Sequence, residues 1–87
     1  MTRKQALAEL IAAFDAGTLE SVSAEHIYIA FGKHLQRRFW ECWHGSLDAA
    51  KALRMSILPG PVPEKIHSDA REELLSILRE LIDLERA

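Results

Sequence analysis

Between Gly45 and Gly60 the chain spells out one complete helix with both ends marked. Ser46 is placed to accept a backbone N–H from the first turn, and Asp48 lies where the helix end is positive. Leu47, Ala50, Leu53 and Ile57 recur at helical spacing, and Pro59-Gly60 stops the run. Pro61 and Pro63 then stiffen the connector, which leaves Pro61 to His67 too short and too proline-rich to build a sheet. A helix closed on both sides, followed by a connector without strands, restricts the chain to helix-on-helix packing.

The other segments agree. Thr2 can cap a first helix over residues 3–16, in which Leu7, Leu10, Ile11 and Phe14 share a face and Gly17 is the stop. Ser23 caps a second, from Ala24 to about Phe31. The last, over 69–85, starts at Asp69 and Glu72, a capping-box-like pair. It carries the strongest stripe in the chain, Leu74, Leu75, Ile77, Leu78, Leu81 and Ile82. The small Ala49, Ala50 and Ala52 of the third helix allow a neighbouring helix to approach closely.

The centre is harder to place. In an unbroken helix through His44, Ile27, Tyr28, Phe31, Leu35, Phe39 and Cys42 would share one side. Ile29, Trp40 and Trp43 would lie on the other. A helix apolar on both sides is either central or not one helix, and Gly32 is a natural break. The sequence leaves residues 32–44 open between helix and loop. The alternation of Ile27, Ile29 and Phe31 offers a strand as a minority alternative. The fold class that follows is all-α, a small bundle of about four helices, as one domain over residues 1–87.

Residues 45–60 resemble the G-S-L-D-A-A-x-A-L-x-x-x-x-L-P-G stretch of the phage ABA-sandwich family of small phage and prophage proteins. Ser68 to Leu81 is similar to that family's closing helix, often D-P-A-R-A-L-x-x-A-I-L-R-A-L, and Met1-Thr2-Arg3 with its following helix is similar to the family's opening. The resemblance implies a phage or prophage origin, and a family without an established biochemical activity. Members of that family usually insert an aromatic-rich, strand-forming stretch between L-P-G and the last helix. This chain has only Pro61 to His67 there, so it resembles a shortened member without the β portion.

Composition narrows the function. In 87 residues, 48% are hydrophobic and the net charge is −2, which fits a globular domain and offers no basic excess for nucleic acid. The single cysteine, Cys42, cannot form an internal disulfide. With no signal peptide or long apolar run, this points to a bacterial host's cytoplasm and no membrane association. Cys42-x-His44 is not a zinc signature, and His26, His34 and His67 stand at no recognised ligand spacing. No nucleophile elbow, phosphate loop or dinucleotide fingerprint is present. The expectation is therefore a non-enzyme with no catalytic residues, no metal and no cofactor.

The segment from Lys33 to His44 combines cations with aromatics. As a helix it would bring Lys33, Arg37, Trp40 and His44 near one face, with Arg38 and Trp43 close by. Exposed tryptophan beside arginine is the composition of a binding hot spot. The plainer alternative is that Trp40 and Trp43 complete a small core. A second candidate surface is the acidic side of the last helix, Glu72, Glu73, Glu80 and Asp83, suited to covering a nucleic-acid-binding surface on a host protein. The expected role is binding a host or phage protein, in the manner of an anti-CRISPR protein inhibiting host defence. The alternatives are a DNA-binding regulator, weakened by the scarcity of cations on the third helix, and a self-associating assembly factor. The alanine-rich and leucine-rich helices suit a homodimer.

Overall fold

A computed structural model describes residues 1–86; Ala87, the last residue of the expected domain, lies outside the described residues. Four α-helices follow one another: α1 (Arg3–Asp15), α2 (Ala24–Trp43), α3 (Leu47–Ile57) and α4 (Ala70–Arg86), with a 3₁₀ turn at Leu19–Ser21. There is no strand among the described residues. The all-α bundle expected from the sequence is the fold, and the strand alternative at 27–31 is not realised.

The caps act where the sequence put them. Thr2 Oγ1 accepts from the Gln5 amide, and Gln5 Oε1 accepts in return from the Thr2 amide, a reciprocal box that satisfies two end groups of α1. Ser23 accepts from the Glu25 amide and Ser46 from the Ala49 amide. Asp69 Oδ1 accepts from the Arg71 amide. No bond from Glu72 returns to Asp69 among the described residues, so the aspartate caps α4 without its partner.

Gly32 breaks α2 in two. Its φ of 80° and ψ of 172° are non-helical, in a region open essentially to glycine alone. The break explains the two-sided apolar pattern. Ile27, Ala30 and Phe31 before the kink, and Phe39, Cys42 and Trp43 after it, are all buried in one core. Two limbs with different facings replace one helix that would be apolar all round. Residues 33–43, left open by the sequence, are the helical second limb. Tyr28, expected on the inner face, is instead exposed.

The core joins these side chains to Ala6, Leu7 and Leu10 of α1, to Leu19 of the 3₁₀ turn, and to Leu74, Ile77, Leu78 and Leu81 of α4. On α3 the buried residues are Ala49, Ala50 and Leu53, whereas Leu47 is exposed. The two adjacent alanines let α3 lie close against α2, its most extensive neighbour. At the corner between them, the Gly45 amide donates to Cys42 O and the Ser46 amide to Glu41 O. This closes α2 in the Schellman pattern, which needs the positive φ that Gly45 has. Ser46 thus ends one helix and caps the next, and so fixes the angle at which α3 leaves.

Candidate functional site

The second limb of α2 divides its residues between two environments. Lys33, Gln36, Arg37, Trp40, Glu41 and His44 line one shallow, open depression of about 660 Å³, completed by Ser46 at the corner. Their spacing of three, four or seven places them on one helical face. Four of the residues singled out in the sequence, Lys33, Arg37, Trp40 and His44, are therefore brought together. The surface inside the depression is mainly apolar, and the Trp40 ring supplies its aromatic part. Trp40 is half-buried and rests edge-on against Phe39, with centroids 5.7 Å apart.

The electrostatics of this face are uneven. Glu41 is the one acid of the segment and serves two arginines, Arg37 at 3.2 Å and Arg38 at 3.7 Å. The Arg37 side chain is nevertheless 87% exposed, so its ion pair is held weakly against water. Lys33 makes no ion pair among the described residues. Arg38 turns toward an adjoining depression with His34, Leu35 and Ser56 of α3, which shares Arg37 and Glu41 with the first. It borders the Trp40 face without lining it.

Trp43 belongs elsewhere. It is 7% exposed and is the point where four elements meet. Its indole N–H donates to Glu20 Oε1 at 3.1 Å, and Phe14 of α1 meets its ring edge-on at 5.5 Å. The Arg71 guanidinium lies 4.2 Å from the ring centroid, and Arg71 Nε donates to the Trp43 carbonyl at 2.8 Å. That bond satisfies a carbonyl left unpaired at the end of α2, at the helix end that favours a cation. The sequence grouped Trp43 with the binding residues; the structure makes it part of the core. Arg71 and Glu20, which hold it, had no signal in the sequence beyond their charge.

The acidic side of α4 is also divided. Glu72, Glu80 and Asp83 line a depression with His67 and Arg79. Glu73 does not join them: it is 3% exposed and accepts from Arg54 Nε at 2.6 Å. Arg54 also donates to Glu80 Oε2 at 2.8 Å. One guanidinium of α3 therefore bridges two carboxylates of α4 and cancels part of the expected acidic field. Arg79 adds a longer pair with Asp15 of α1 at 3.5 Å. Glu73 is a packing residue whose charge is neutralised from within.

Cys42 is fully buried. Burial pushes its thiol up to about 12, reinforced by Glu41 and Glu73 and opposed by Arg38, so it is not a nucleophile near neutral pH. His44 is exposed while Cys42 faces the core, and the two do not converge. Among the described residues no three of His, Cys, Asp and Glu gather where they could hold a metal ion. No helix among them is long and apolar enough to cross a membrane.

No protein-family model, no curated protein and no solved structure matches this chain.

Proposed function

We propose that this is a small, non-enzymatic phage or prophage protein that acts in the host cytoplasm by binding another protein through the Trp40 face of α2. The observation that carries the reading is the pairing of a half-buried tryptophan with a largely solvated arginine on one helical limb. A tryptophan so placed offers apolar area at little entropic cost, and arginine beside it adds directed hydrogen bonds. The phage origin is supported by the resemblance of residues 45–60 and 68–81 to the phage ABA-sandwich family. A host defence protein is the target class that fits such an origin. The partner takes precedence over self-association here, because most of the apolar residues of α3 and α4 that suited a homodimer lie in the core.

The test is affinity capture from bacterial lysate with the tagged chain, run beside Trp40→Ala and Arg37→Glu. The expected result is one stoichiometric protein, lost with either substitution while both variants keep the wild-type helical spectrum. Capture unchanged by both substitutions, or nucleic acid recovered in place of protein, overturns the reading.

A further inference from the structure

The Trp40 face has a charge opposite to that of the chain that carries it. Residues 33–44 hold Lys33, Arg37 and Arg38 against Glu41 alone, an excess of positive charge in a chain of net charge −2. The balance of the molecule is therefore acidic, and this cationic stretch surrounds the Trp40 depression. From this juxtaposition we infer that the occupant is an acidic segment of the partner protein, carrying an aromatic or aliphatic side chain that seats against Trp40. The inference rests on the reading of this face as the partner site.

The geometry supports an acidic occupant in three ways. Glu41 is divided between two guanidinium groups, so an incoming carboxylate finds at least one arginine charge uncompensated. The Arg37–Glu41 pair is a solvated i,i+4 contact, with the basic residue on the N-terminal side, the weaker of the two orders. Exchanging Glu41 for a partner carboxylate thus costs little, and Arg37 can take that carboxylate through two parallel N–H bonds. Lys33 and His44 stand at opposite ends of the depression. The Lys33 and Arg37 charges precede the Trp40 ring along the helix and the His44 imidazole, which carries an N–H donor, follows it, so an acidic residue on each side of an apolar anchor finds donors on both sides. The rest of the molecule is acidic on balance, which disfavours approach of an acidic partner over much of its surface.

A duplex would need cations spread over a longer track. Lys51 and Arg54 are the only ones on α3, and Arg54 is consumed by Glu73 and Glu80. An acidic peptide needs only the short face that is present.

Fluorescence anisotropy on the full chain decides the matter with four labelled probes. One is a short peptide with a central Phe flanked by Asp and Glu. The second replaces the acids by Lys, the third replaces Phe by Ser, and the fourth is a DNA duplex. The expected result is saturable binding of the first probe, at least tenfold weaker for the second and third. It weakens further as salt is raised, because the contacts are solvent-exposed. Arg37→Glu and Trp40→Ala each reduce it at least tenfold while both variants remain folded at the assay temperature. No saturation by the acidic Phe peptide up to roughly 1 mM overturns the inference. So does equal binding of the Lys peptide, or tighter binding of the duplex through the same residues. If those results come with lysate capture that still depends on Trp40, only the acidic nature of the occupant falls. If capture is also independent of Trp40, the proposed function falls with it.

Discussion

Trp40 and Trp43 stand less than one turn apart on the same helical limb, yet they do different work. Trp43 is held on every side: Phe14 at its edge, Arg71 across its face, Glu20 on its N–H. Trp40 has one aromatic neighbour, Phe39, and no acceptor for its N–H among the described residues. A buried tryptophan normally finds a partner for that proton, and the contrast separates a side chain the fold needs from one the fold leaves available. Composition alone cannot draw this line, because it depends on which residues α1, the 3₁₀ turn and α4 bring to the corner.

The comparison breaks first on stability. Trp43→Ala should cost about 3–5 kcal/mol, since a large void opens where four elements meet. Trp40→Ala should cost about 1–2 kcal/mol, because part of its ring is already in water and less burial is lost. Urea unfolding of both variants measures the gap, and equal losses would erase the distinction.

Next in size is the Arg54 bridge, which sorts the acidic face as the tryptophans sort the aromatic one. Arg54→Ala strands the buried Glu73 carboxylate and should cost about 3 kcal/mol, whereas Arg37→Glu on the solvated face should change stability by less than about 0.5 kcal/mol. Arg54→Ala in the Glu73→Gln background should recover much of the loss, because the unpaired charge is gone. A double-mutant cycle by thermal melting reads the coupling; its absence would return Glu73 to the surface.

These contrasts mark how far the sequence reaches. The helix starts at Thr2, Ser23, Ser46 and Asp69 were legible because capping is local, settled within three residues. The break at Gly32 was legible because an unbroken helix would have been apolar on two opposite sides. The face formed by Lys33, Arg37, Trp40 and His44 followed once the limb was helical. What could not be read depends on distant partners. Glu73 is buried and its neighbour Glu72 exposed because Arg54, nineteen positions earlier, reaches the former. Trp43 is core because Arg71, twenty-eight positions later, closes over it. Leu19 is wholly buried from a 3₁₀ turn too short to show a periodicity.

A pH-dependent effect concerns Cys42, which lies between the tryptophans on the inward side of the limb. Its folded-state thiol is raised from 9.0 to about 12. The protonated form is favoured in the folded chain, so this contribution is fully present below pH 9 and is lost as pH rises from 9 toward 12. At pH 10 the loss should be about 1.4 kcal/mol, absent in Cys42→Ala. Comparing the pH dependence of urea unfolding for the two proteins between pH 8 and about 10.5 isolates it. Identical slopes would mean that the thiol is reached by water.

The measurement closest to the central claim is fluorescence quenching of the two tryptophans one at a time. In Trp43→Phe the remaining Trp40 should emit to the red and be quenched readily by iodide, an anion drawn to the Lys33 and Arg37 side of the limb. In Trp40→Phe the remaining Trp43 should emit to the blue and resist iodide. That result would establish one tryptophan as open surface and the other as core. Equal protection of both, or a Trp43 more accessible than Trp40, would contradict the division on which the proposed binding face depends.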